Sequence, residues 1–218
     1  MDRSVQKLTG RFYVMDVDKK QERKKVLEAF TRQGILDAAI GLLTREGVQG
    51  LTMDRVAMEA GVAKGTLYVY FTNKEEILDA ALDASFDPLI TELSALLDDD
   101  CVPDRKLAEF SLCHLRFFDE HRDLIRVLFF DRERTHSEKN HYADNRYQTS
   151  VKQVAAVLDE GVRQGLFSSL DLMKGAAMFI EANMGMVMQR IHDGISGDVE
   201  KDAKQITDLF MEGLRKRK

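Results

Sequence analysis

Residues 51–71 read LTMDRVAMEAGVAKGTLYVYF. Thr52 can cap a helix, its hydroxyl accepting a backbone N–H from the following turn. Met53, Val56, Ala57 and Ala60 then recur at helical spacing and supply a buried side. Gly61 supplies the left-handed residue that ends the helix. Only Val62 and Ala63 separate it from a second short helix, from Lys64 to about Phe71, in which Leu67 and Phe71 point one way. Two short helices joined by so tight a turn form a helix-turn-helix, whose second helix enters the major groove and presents its N-terminal residues to base edges. The polar and amphipathic remainder of that helix is Lys64, Thr66, Tyr68 and Tyr70.

Working outward, Ile35, Ala38, Ala39, Leu42 and Leu43 form one apolar stripe, so a helix precedes the motif, and Gly47 suits its end. Asn73 and Glu76 have capping-box spacing and start a fourth helix. Its stripe is Ile77, Ala81, Leu82, Phe86, Leu89, Leu93 and Leu96, interrupted by Pro88, where the helix either kinks or stops and restarts. Residues 1–30 are polar, with KKQERKK at 19–25. They read as a solvated tail or frayed helical extension in preference to an arm on phosphates.

The whole chain has 218 residues, 44% of them hydrophobic, enough for one or two domains with a sizeable core. Two prolines argue for long helices and an all-α fold. Two cysteines, Cys101 and Cys113, exclude a disulfide scaffold. No apolar run is long enough to cross a membrane, and the N-terminus lacks a secretory pattern, so the expected compartment is the cytoplasm and no membrane partner is expected. Residues 1–78 hold 13 basic and 11 acidic residues, against 19 and 26 in the rest, which is compatible with a polyanion partner at the N-terminal end. No Cys-x-x-Cys, His-Glu-x-x-His, nucleophile motif, phosphate loop or dinucleotide fingerprint occurs, so no metal, no cofactor and no enzyme activity are expected.

From about Ile35 to Leu82 the chain resembles the DNA-binding domain of the TetR (tetracycline-repressor) family of bacterial transcription regulators. The matching pieces are ILDAAIGLLTREGVQGLTMDRVAMEAGVAKGTLYVYF and TNKEEIL. The resemblance implies that Thr52 meets a phosphate and that Lys64, Gly65 and Thr66 reach base edges or phosphates. It further implies that Tyr68 and Tyr70 touch backbone or thymine methyls, and that Lys74 holds a phosphate at the start of helix four. Positive helix starts reinforce this. Two departures stand out. Ala63 replaces a frequent serine and leaves the recognition helix without a side-chain cap, and Val69 replaces a common histidine.

The remaining residues read as helices: one from Pro103, a short apolar one over about 122–131, a long amphipathic one ending at Gly165, and others at about 170–193 and 199–215. Residues 132–145 read as a polar loop. The resemblance implies a helical C-terminal domain that dimerises through its last two helices and encloses a small-molecule pocket. The helix at 170–193 is apolar on nearly all sides and would be buried all round by such a seam. Its methionines, Met178, Met184, Met186 and Met188, read as core or dimer interface before ligand contact. Polar pocket candidates are His114, Glu181 and Asn183, with Phe110, Phe117, Phe118, Tyr147 and Phe179 as apolar lining, although Glu181 and His114 could instead pair with each other.

The sequence thus predicts a polar extension (1–30), a helix-turn-helix domain (31–80) and a helical ligand-binding and dimerisation domain (81–218). The expected function is a ligand-responsive repressor that binds a pseudo-palindromic double-stranded DNA operator as a homodimer and answers to a small-molecule effector. Helix four is the expected mechanical link. The alternative is a helical small-molecule-binding protein whose helix-turn-helix no longer reads DNA.

Overall fold

The structure, a computed structural model, describes the backbone of residues 3–130, 141–195 and 197–215, and the side chains of 20–126, 146–195 and 197–215. Among these residues the elements are all helices. They are α1 (Arg3–Gly50), α2 (Met53–Glu59), α3 (Lys64–Tyr70), α4 (Lys74–Asp98), α5 (Pro103–Glu120), α6 (Arg122–Phe130), α7 (His141–Arg163), α8 (Leu172–Asp193) and α9 (Val199–Leu214). No described helix is long and apolar enough to cross a membrane. The chain divides into two compact units, Met1–Ala81 and Leu82–Lys218.

The first unit closes on Ile35, Leu36, Ala39, Leu42 and Leu43 of α1, with Val56, Leu67, Phe71 and Ile77 from the three following helices. None of these is more than 2% exposed. Each such Leu, Ile or Phe contributes roughly 1.5–3 kcal/mol on burial. Gly47 adopts φ 72° and breaks the helical path of α1 where the sequence places its end. Upstream, α1 continues as helix back to Arg3, so the boundary at residue 30 falls inside one element. Residues 20–30 are exposed on every side. Lys, Arg, Glu and Gln are good helix formers, and a helix already nucleated by its packed half propagates readily.

Pro88 does not stop α4, which runs unbroken to Asp98. The proline is exposed, and buried Leu82, Leu89, Leu93 and Leu97 hold the helix on either side of it. The distal end of the stripe is Leu97 and not Leu96, which is half-buried. The expected loop at 132–145 is also too long, because α7 begins at His141. A first helical turn on the polar side of an amphipathic helix needs no apolar residue, so the stripe beginning at Tyr147 understates its length. Residues 131–140 lie outside the described residues.

In the second unit α5 packs on α7, α8 and α9, and α7 packs along α8. Phe110, Leu107, Leu115, Leu158 and Phe179 are fully buried at its centre. Phe167 lies against Gly161, where a Cβ would come within 2.1 Å of its ring. The Ser168 N–H donates to the Leu214 carbonyl at 2.8 Å and ties the chain after α7 to the end of α9. The buried Arg190 guanidinium donates to Asp202, to Asp119 at 3.1 Å and to the Gly197 carbonyl at 2.6 Å, so α5, α8 and α9 meet on one cation. Both cysteines are free thiols, and burial first, then Glu92, pushes Cys113 up to about 12.

Candidate functional site

The helix-turn-helix is built from caps and braces that the sequence encodes locally. Thr52 is extended (φ −132°, ψ 153°) and its hydroxyl accepts the Arg55 N–H at 3.4 Å, a long cap bond. Arg55 pairs with Glu46 through both terminal nitrogens and reaches the Gly50 carbonyl, so α2 is fastened across the turn that precedes it. That pairing holds the Glu46 carboxyl below its ordinary range. Arg45 reaches Glu59 at 2.8 Å and fastens the far end of α2. Gly61 takes φ 65°, and α3 starts two residues after Val62 with Ala63 as an N-cap that offers no side-chain bond. Leu67 and Phe71 are buried beneath, and the Arg32 guanidinium lies 5.3 Å over the Phe71 ring. At the start of α4 the Asn73 side chain accepts the Glu76 N–H at 2.8 Å, as its spacing predicts. Glu76 reaches back to the N–H and hydroxyl of Thr72, one residue further than in a capping box, and these bonds lower its carboxyl.

This frame places the DNA-contact candidates as follows. Thr52, Lys64, Gly65 and Tyr68 are exposed, whereas Thr66, Tyr70 and Lys74 are half-buried. Lys64 is not a bare cation: its ammonium lies 2.5 Å from Asp54, and that hydrogen bond raises it above its ordinary value. Gly65 is helical, and a Cβ there would meet nothing within 4 Å. Internal packing therefore does not require the glycine. A glycine there costs the helix about 1 kcal/mol relative to alanine. Val69 is 81% exposed on the same helix. It stands where the family commonly has a histidine, off the buried Leu67–Phe71 stripe.

The pocket candidates split into two groups. Phe110, His114 and Phe118 line one face of α5, with His114 5.8 Å from Phe110 and 4.6 Å from Phe118 between ring centroids. Phe110 meets Phe179 of α8 at 5.6 Å, and Phe117 packs beside Phe118 at 5.6 Å. Asn183 is fully buried, its amide N–H donating to the Phe179 carbonyl at 2.8 Å. Glu181 and Tyr147 stand apart. Glu181 is exposed, and Tyr147 is half-buried and hydrogen-bonded to it; burial and then that carboxylate raise the phenol. His114 and Glu181 are therefore not a pair. Burial alone pushes His114 down to about 4, so its ring is neutral. Among the described residues no cluster of side chains suited to a metal occurs.

The outer face of α8 is open in the single chain. Met178 is 67% exposed, and Ala182 and Gly185 are exposed one and two turns on, so the helix is buried on one face only within a single chain. Leu209 of α9 is 74% exposed.

An all-helical chain with a braced helix-turn-helix followed by a helical core defines the class of helix-turn-helix regulators. Residues 35–81 match the model for bacterial regulatory proteins of the tetR family, and residues 100–214 match that for the tetracyclin repressor-like C-terminal domain. The chain belongs to the tetR family, and it is a ligand-responsive DNA-binding regulator of the repressor class. It is 27% identical over 188 residues to the HTH-type transcriptional regulator YvkB of Bacillus subtilis, covering 84% of this chain and 97% of that one. The fold is shared with FadR of Bacillus subtilis in complex with stearoyl-CoA, with a TM-score of 0.71, 22% identity and coverage of 83% and 98%. It is shared equally with SmeT, the repressor of the Stenotrophomonas maltophilia multidrug efflux pump SmeDEF, with a TM-score of 0.71, 20% identity and coverage of 85% and 90%.

Proposed function

We propose that α3 reads an operator through its outer edge. Lys64, Gly65 and Thr66 lie at the groove, Tyr68, Val69 and Tyr70 follow, and Thr52 and Lys74 rest on flanking phosphates. The observation that carries this reading is the outer side of α3, where Lys64, Gly65, Tyr68 and Val69 stand exposed over buried Leu67 and Phe71. The chain binds a pseudo-palindromic site as a homodimer, in which a second copy covers Met178, Ala182 and Gly185 of α8 and Leu209 of α9. Exposed apolar side chains beside small residues suit close helix approach across a two-fold axis. An effector with a substantial apolar body binds the second unit in the cytoplasm. Its binding reaches the helix-turn-helix along α4, the continuous helix in which the chain passes from one unit to the other.

The test is fluorescence anisotropy of the full chain against DNA flanking its own gene at about 150 mM salt, with scrambled DNA as control. Selective binding at about 10⁻⁸ M or tighter is expected, and it should be lost in Lys64→Ala/Tyr68→Ala. Wild-type affinity in that variant would refute the assignment.

A further inference from the structure

Five buried side-chain atoms among the described residues, all on α5 and α8, lack a hydrogen-bond partner: Asp104 Oδ1 and Arg190 Nε on charged groups, and Ser111 Oγ, His114 Nδ1 and Asn183 Oδ1 on neutral ones. Such atoms are uncommon in folded proteins, and each neutral one costs about 1–3 kcal/mol when buried unpaired. The three neutral residues are at least nine-tenths buried. Their placement is not scattered. Phe110 of α5 meets Phe179 of α8, and nearly three turns on Asp119 accepts from Arg190 at 3.1 Å. The two helices therefore run in the same direction over this stretch. His114 follows Phe110 by four residues, as Asn183 follows Phe179, so each lies one turn further along the same face of its own helix. Phe118 and Val187, four residues further still, line a small cleft together with Asp119, Arg122 and Arg190.

We infer that Ser111, His114 and Asn183 form the polar end of an effector site that takes a neutral hydrophobe bearing a hydroxyl group, an alcohol or a phenol. The inference rests on the proposed effector-binding role of the second unit and names the chemistry it selects. Asn183 Oδ1 can only accept, so the ligand must donate. A hydroxyl also accepts, and can take a bond from Ser111 or from the imidazole. Phe110, Phe118 and Phe179 give the rest of the site an aromatic wall. A carboxylate does not fit. It would bring acceptor oxygens against Asn183 Oδ1 and bury a full charge among aromatic rings. The cations one to two turns away are already engaged: Arg190 by Asp119 and Asp202, Arg122 by Asp119. The polar atoms thus discriminate between head groups, and the apolar wall accepts a range of bodies.

Three probes share one body and differ in its head: p-hexylphenol, hexylbenzene and p-hexylbenzoate. Decanol separates aliphatic from aromatic hydroxyls. Binding to the full chain without DNA is followed by calorimetry, so a failure of operator recognition leaves the result intact. The phenol or decanol should bind at least about tenfold more tightly than hexylbenzene and the benzoate, the equivalent of one good hydrogen bond. In His114→Phe and Asn183→Leu that preference should disappear while hexylbenzene affinity stays the same or rises. The melting temperature of His114→Phe should match or exceed that of the wild type, because an unpaired polar atom has been removed. Equal affinities for the three heads, preference for the benzoate, or no binding of either hydroxyl probe to the wild type would overturn the inference. So would a His114→Phe variant that melts well below the wild type, since the ring would then be partnered inside the protein.

Discussion

His114 gives the structure a pH signature of predictable sign and size. Burial alone holds its folded value down to about 4, against an ordinary 6.5. Between those values the unfolded chain binds a proton that the folded chain refuses. Stability therefore falls as pH drops through 6.5 towards 4, and the contribution is whole above that window. From about pH 7 to about pH 5 the two titration curves differ by about 2 kcal/mol. Carboxylates titrate over part of the same range, so the quantity to measure is a difference between the wild type and His114→Phe. Hydrogen exchange of peptides from α5 reads the second unit by itself. Lowering the pH should lose roughly thirtyfold more protection in the wild type than in the variant, after correction for intrinsic exchange. Parallel pH profiles would refute the reasoning, because they would mean that the ring is solvated or takes up its proton without penalty.

Three further outcomes follow from particular residues. Gly65→Ala should raise the stability of the first unit by about 1 kcal/mol in urea unfolding, since the added methyl meets nothing, yet weaken operator binding in anisotropy. Met178→Glu combined with Leu209→Glu should leave helicity unchanged and shift sedimentation velocity from dimer to monomer, because both side chains are exposed in the single chain. Gly161→Ala should destabilise the second unit by about 1–3 kcal/mol in calorimetric melting, since its methyl would lie 2.1 Å from the Phe167 ring.

The helix-turn-helix was legible because its signals are local. Thr52, Gly61, Ala63 and Asn73 act within four residues of themselves, and each does what its chemistry predicts. Pro88 shows where local rules stop. Its propensity favoured a break, but buried leucines on both sides outweighed it. The effector candidates show the same limit differently. The pattern of polar residues on apolar helices picked out His114, Asn183 and Glu181 together, but only tertiary packing separates the first two, which are buried in the core, from the third at the surface. Ser111 carried no sequence signal, since a serine on an amphipathic helix normally faces water. Asp54 was missed for a related reason: its pairing with Lys64 joins the first turns of two helices whose crossing no short window encodes.

That pairing bears on how the protein would recognise DNA. The first 78 residues carry only two more basic than acidic residues, so no broad positive field draws a duplex to this end of the chain. One of the two lysines at the proposed interface already has a carboxylate partner. A phosphate arriving at Lys64 must exchange with Asp54, and the gain is the difference between two ion pairs. Affinity on this reading comes less from counterion release than from short-range fit, through the open backbone at Gly65, the ring of Tyr68 and the exposed methyls of Val69. A regulator with so few phosphate anchors should bind non-specific DNA weakly, which leaves more of its operator affinity to discriminate sequence. The acidic partner at Lys64 then serves selectivity, because it penalises contacts that a merely anionic surface would otherwise satisfy.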